Sequence, residues 1–254
     1  MLRALFEAGI RPELVLGTSV GALNGALVAV DPGEGVIDRL VRLWESAASN
    51  RDVYGDGPVR QVRRAVRTGT HLHSSRPLRE RLEVELGERT FADLAVEFQC
   101  CAASIERAAE HWFTSGRVVD AVVASAAVPG LLQPAVVDGE HFLDGGIVNS
   151  IPVGRAVEQG ADQVFVLQVG RVDRPLTPPR KPWEVARVSF EIARRHRFHR
   201  EMAALPEQVA CHVLPTGGST AKDDSLLSYR DFRAVLRRVD AAYHASVAFL
   251  DEVL

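Results

Sequence analysis

The segment "ELVLGTSVGALNGALVA", residues 13–29, restricts the chain more than any other. Glycines recur every four residues at Gly17, Gly21 and Gly25, and apolar residues fill most of the remainder. "ELVLG" has the length and content of a short buried strand. No proline follows until Pro32, so a helix is expected over about 20–30. Ser19 then falls on the strand-to-helix turn, inside Gly17-Thr18-Ser19-Val20-Gly21. That is a G-x-S-x-G pattern in the setting of a nucleophile elbow. Glycines on either side keep side chains clear of a strained turn. The helix N-terminus offers unpaired N–H groups and positive potential to an oxyanion. The plainer reading is a glycine-faced helix packed closely on a sheet, and the two are compatible.

A chain of 254 residues, 46% apolar and 25% charged, fits one large globular domain spanning 1–254. A net charge of -3 gives no general attraction to nucleic acid. Cys100 and Cys101 are adjacent in an apolar run, point to opposite faces of a strand, and read as buried free thiols. No metal-ligand spacing or cofactor motif is visible. The N-terminus lacks the apolar core of a signal peptide. Two uncharged runs, 14–30 and 121–137, are short and interrupted by Gly, Asn, Pro or Gln, so they read as protein core. The expected location is the cytoplasm.

Helices are expected over 2–8, 36–48, 58–67, 77–86, about 120–127, 152–159, 183–205 and 229–252. Strands are expected over about 95–104, with "AEHWFTSG" as a hairpin partner, in "DQVFVLQVG" and in "VACHVLP". "PAVVDGEHFLDGG" reads as a hairpin turning at Asp138-Gly139. A Pro-rich loop occupies 171–182. This alternation predicts an α/β fold, a mostly parallel central sheet flanked by helices.

A second candidate lies in "HFLDGGIVNSIPV". Asp144 ends an expected strand, and Gly145-Gly146 permits a tight turn after it. By itself this is an ordinary Asp-Gly turn. A carboxylate held at a strand end can also be brought against a serine hydroxyl, and burial raises its proton affinity enough to act as a base.

"GTSVGALNGAL", "SAAVPGLLQP" (125–134) and "DGGIVNSIPV" (144–153) together resemble the patatin-like phospholipases, over nearly the whole length. The resemblance implies a Ser–Asp dyad without catalytic histidine, on an α/β sheet, cleaving acyl esters of lipids without a cofactor or metal. Ser19 would be the nucleophile and Asp144 its base, with Gly17, Val20, Gly21, Gly145 and Gly146 supporting the two motifs. Residues 125–134 would line the wall of the site. The family also carries a Gly-rich loop ahead of its first helix, whose N–H groups form the oxyanion hole. The sequence opens at that helix with "MLRALFEAGI", so the expectation is a chain shortened at its N-terminus, without the first strand and that loop. Loss of one oxyanion donor typically lowers turnover ~100- to 1000-fold.

Three readings stand at this point. The first is a phospholipase A- or lysophospholipase-like hydrolase working through an acyl-serine. The second is a catalytically impaired scaffold that binds lipid or protein. The third is a Ser-His-Asp esterase using His212, disfavoured because only 16 residues precede Gly17. The helix 185–203 carries Arg194, Arg195, His196, Arg197, His199 and Arg200, and is expected to offer a cationic face for peripheral contact with an anionic membrane. A solvated helix face is the plainer reading.

Overall fold

A computed structural model describes residues 1–49, 71–168, 175–218 and 232–254. The helix expected over 58–67, residues 171–174 of the Pro-rich loop and the start of the last expected helix, 229–231, lie outside the described residues.

Helix α1 (Leu2–Glu7) leads through Gly9, at φ 79°, into β1 (Leu14–Thr18). Helix α2 (Val20–Val30) follows after the single residue Ser19, then α3 (Gly35–Ser49). Next come β2 (His71–His73) and α4 (Arg76–Leu86), with Pro77 in its first turn. β3 (Glu97–Ser104) and β4 (Ala109–Phe113) form a hairpin, and α5 (Val118–Ser125) follows. β5 (Gly130–Leu132) precedes a second hairpin, β6 (Ala135–Val137) and β7 (Glu140–Asp144). That hairpin turns at Asp138 and Gly139, with φ 50° and 81°, as a two-residue primed turn requires. A 3₁₀ turn, Gly145–Ile147, leads to α6 (Val153–Glu158) and β8 (Gln163–Val166). Helix α7 (Pro182–Ala203), β9 (Ala210–Val213) and α8 (Phe232–Val253) complete the described chain.

The fold is mixed α/β, with a central sheet flanked by helices. The expectation of a mostly parallel sheet needs correction. In the main sheet only β1 and β3 are parallel, while β3–β4, β3–β7 and β6–β7 are antiparallel. Two of those pairs are local hairpins, which can only be antiparallel. The short pairs β2–β5 and β8–β9 are parallel and lie outside this sheet.

β3 organises the sheet. β4 runs along one edge of it, opposite residues 100–104. The other edge is shared end to end: β1 pairs with residues 97–101, and β7 with 102–104. β1 runs with β3 and β7 against it, so their C-terminal ends meet head to head. Thr18 sits opposite Cys101, and Asp144 opposite Ala102. Topology alone therefore delivers the residue after Thr18 beside Asp144.

The period of two along β3 sends Phe98, Cys100 and Ala102 into one cluster with Ala22, Ala26 and Leu27 of α2 and Val118, Val119 and Val122 of α5. α2 lies close to the sheet because Gly25 has no side chain: a Cβ there would be 3.0 Å from Val15 and 3.1 Å from Phe98. A second cluster joins α1 to α8 through Ala4, Leu5, Leu214 and Leu250. A third packs Phe198 of α7 on Ile151, Val153 and Val166. Cys100 and Cys101 are buried free thiols, as expected.

Candidate active site

Ser19 adopts φ 56° and ψ −120°, a conformation that costs a residue with a side chain of order 1–3 kcal/mol. Two features hold it there. Its N–H donates to Ser125 Oγ at 2.9 Å, and Ser125 Oγ donates in turn to the Cys101 carbonyl at 2.6 Å. Ser125 is wholly buried, so this link between α5, β3 and the elbow is dry. The chain also turns back so tightly that a Cβ on Gly17 would lie 2.6 Å from Ala22 Cα and 2.6 Å from the Gly21 carbonyl oxygen. Gly17 is therefore demanded by sterics. Gly21 is not, because a Cβ there meets nothing within 4 Å.

Ser19 Oγ donates to Asp144 Oδ2 at 2.5 Å. Asp144 Oδ1 accepts from the Gly146 N–H at 2.7 Å, and the Asp144 N–H donates to the Ala127 carbonyl at 2.9 Å. Segment 125–134 thus holds both partners from one side. Asp144 is 2% exposed, and burial pushes its carboxyl up to about 6; the hydrogen bonds from Ser19 and Gly146 act in the opposite direction. The two glycines after it differ in role. A Cβ on Gly145 would run into the Cys101 carbonyl oxygen and lie 3.1 Å from Thr18 Cγ2. One on Gly146 would meet the edge of the Phe190 ring of α7 at 2.8 Å.

Val20 and Gly21 occupy the first turn of α2, and both are exposed. The N–H groups of Ala22 and Leu23 already donate to the Ser19 carbonyl. Those of Val20 and Gly21 belong to the first turn, where an α-helix has no acceptor of its own to offer. Free N–H groups at a helix N-terminus can in general bind an anion.

The histidine alternative is not assembled. His212 lies in β9 with its ring stacked on Phe165, centroids 5.0 Å apart. Among the described residues, the side-chain hydrogen bonds of Ser19 and Asp144 are with each other and with the Gly146 N–H. Part of the expected cationic face of α7 is paired with carboxylates. Arg194 and Arg195 are largely buried and bind Glu191, and Arg197 binds Glu110 and Glu201. Glu191 and Glu201, three or four residues away, together with Glu110 of β4, pair with three of the four arginines, while His196, His199 and Arg200 are exposed. Among the described residues, no helix is long and apolar enough to cross a membrane.

Sequence reasoning named Ser125 only as wall. Its role as acceptor for the Ser19 N–H depends on the packing of α5 against β3, and no local pattern carries that information. Gly145 yields a direct prediction. Gly145→Ala drives a methyl into backbone and should destabilise the fold by ~1–3 kcal/mol or more. Gly21→Ala, in an open helical position, should stabilise it by ~0.5–1 kcal/mol. Urea melts of the two variants check the contrast, and equal midpoints would contradict it.

The model of a family described as patatin-like phospholipase matches residues 1–157. The chain is 29% identical over 173 residues to Lysophospholipase nte1 of Emericella nidulans, covering 68% of this chain and 11% of that protein. It is 28% identical over 181 residues to Lysophospholipase nte1 of Aspergillus terreus, with the same coverage. To Lysophospholipase NTE1 of Phaeosphaeria nodorum it is 29% identical over 181 residues, again 68% of this chain and 11% of that protein. The chain thus spans about a tenth of the length of these relatives.

Proposed function

The chain belongs to the patatin-like phospholipase family, a family of carboxylic ester hydrolases, and on that premise we propose that it hydrolyses the acyl ester of a lysophospholipid through Ser19 and Asp144. The observation that carries this reading is the 2.5 Å hydrogen bond from Ser19 Oγ to a buried carboxylate. The substrate class follows the lysophospholipase relatives.

In the first half-reaction, ionised Asp144 takes the Ser19 proton as Oγ attacks the ester carbonyl. The negative charge that develops on the carbonyl oxygen lies toward the N–H groups of Val20 and Gly21. Collapse of the tetrahedral adduct breaks the acyl–oxygen bond. Asp144 returns its proton to the departing alcohol, and an acyl-serine remains. In the second half-reaction a water gives its proton to Asp144 and attacks the acyl carbon. Ser19 leaves with that proton, and the fatty acid is released.

A carboxylate is ordinarily too weak a base for this work. Burial is what makes Asp144 suitable, by raising its carboxyl from the ordinary 3.8 to about 6. The base acts only when ionised. kcat/KM should therefore hold steady above pH 7, fall to half near pH 6, and drop about tenfold per unit below that. Release of fatty acid from lysophosphatidylcholine, followed from pH 4.5 to 8.5, tests this. An acid limb near pH 4 would mean that burial does not set the base. A complete lack of fatty-acid release and of fluorophosphonate reaction would favour the binding-scaffold reading.

A further inference from the structure

Asn149 touches both halves of the site through its backbone. Its carbonyl accepts from Thr18 Oγ1 at 2.8 Å, on the residue immediately before Ser19. Its N–H donates to the Gly145 carbonyl at 2.8 Å, on the residue immediately after Asp144. The side chain, 1% exposed, is held by two carboxylates, with Nδ2 3.2 Å from Glu110 Oε2 and 3.5 Å from Glu201 Oε1. Arg197 lies between those carboxylates, 3.1 Å from Glu110 and 2.6 Å from Glu201. Glu201 also accepts from the Gly154 N–H at 2.7 Å, in the first turn of α6.

The orientation of the amide follows from its neighbours. Only an NH₂ group can face two carboxylates, because an oxygen there would set lone pairs against lone pairs. The opposite amide oxygen is buried with no partner among the described residues. A residue retained merely to fill this space would be apolar, since a buried amide with an unpaired oxygen is unfavourable. What the amide supplies is a fixed link. Glu201 of α7 and Glu110 of β4 hold the Asn149 side chain, and the Asn149 backbone holds the ends of β1 and β7 at their meeting point. α7 lies beyond residues 1–157, so this anchor comes from outside the family-matched segment.

We propose that Asn149 is a positioning residue for the hydrolytic site and that Glu201 is its anchor. The proposal rests on the Ser19–Asp144 reading. Its mechanism is geometric. An end-to-end junction of two strands on one edge of β3 has no ladder hydrogen bonds of its own across the gap, and Asn149 bridges it through Thr18 and Gly145. Reacting atoms displaced by about 1 Å cost a catalytic site about 100-fold in rate.

The test compares N149A, N149D and the exchanged pair N149D/E201Q with the parent on p-nitrophenyl butyrate. S19A runs alongside, and circular dichroism checks folding. N149A should lower kcat ~10- to 100-fold with KM little changed, because the substrate surface is intact while the dyad is misplaced. N149D should lose at least as much, since it places a third carboxylate beside Glu110 and Glu201. N149D/E201Q restores one amide–carboxylate pair with the donor reversed and returns the cluster from three carboxylates to two, so it should recover kcat tenfold or more over N149D. Loss of packing alone would not be repaired by that exchange. If N149A does not fold, the recovery of the exchanged pair over N149D decides the matter, and no recovery overturns the proposal. A folded N149A with kcat within about threefold of the parent overturns it as well. Retained turnover in S19A would overturn the dyad reading and this proposal with it. An inactive S19A beside unimpaired N149A and N149D would overturn this proposal alone.

Discussion

Replacing Ser19 with alanine should lower ester turnover by ~10⁴-fold or more, the scale on which loss of a catalytic nucleophile is felt. The substitution removes one oxygen and leaves the backbone as it is, held by the Ser19 N–H to Ser125 Oγ hydrogen bond and by the tight turn at Gly17. The fold should therefore persist. The melting temperature should move by only a few degrees, the equivalent of ~1 kcal/mol in a chain of this size. Turnover of p-nitrophenyl butyrate and circular dichroism on the same preparation measure both. Parent-level turnover in folded S19A would remove Ser19 from the mechanism.

Asp144→Asn should separate activity from stability. The amide keeps the shape, and its oxygen can still accept from the Gly146 N–H, but it cannot take a proton from Ser19. Turnover should fall on the order of 10³- to 10⁴-fold. Stability should move the other way. Because burial raises this carboxyl from 3.8 to about 6, the folded state binds the proton more tightly than the unfolded state does. Above pH 6 the native chain carries a buried charge that the unfolded chain keeps in water, so Asp144 lowers stability there. That penalty shrinks as pH falls through 6 and is fully gone only below 3.8, where both states are protonated. Asp144→Asn removes it, and should be more stable than the parent at pH 8 by ~1–3 kcal/mol, with most of the difference closed near pH 4. Urea melts at the two pH values measure this. A less stable variant at pH 8 would show that the carboxylate is held by interactions stronger than its burial.

The parts of this structure that were legible in the sequence are those in which local pattern and tertiary demand agree. The run after Ser19 has neither proline nor charge and forms α2 as expected. Asp138-Gly139 dictates its own turn. The question raised by the three glycines has a divided answer. Gly17 is required by the elbow and Gly25 by the approach of helix to sheet, while Gly21 is demanded by neither. The direction of the main sheet was not legible, because β7 pairs with a strand some forty residues earlier and its own residues do not encode that partner. β2 and β5, three residues each, are too short to show a period. The pairing of the α7 arginines was legible only in part: Glu191 and Glu201 stand within four residues of them, but Glu110, which also binds Arg197, lies far away in the chain. Asn149 offered no signal at all beyond a polar residue after Asp-Gly-Gly. Its importance arises only where β1 and β7 meet.

The central claim is that a serine and a carboxylate, without an imidazole, do the chemistry. Reaction with a fluorophosphonate tests it most directly, with the modified peptide identified by mass spectrometry and the rate compared in the parent, D144N and H212A. The account predicts a single adduct on Ser19, formed at least ~100-fold more slowly in D144N and at nearly the parental rate in H212A, since His212 belongs to β9 and stacks on Phe165. An adduct on another residue, or a rate that collapses in H212A and survives in D144N, would contradict it.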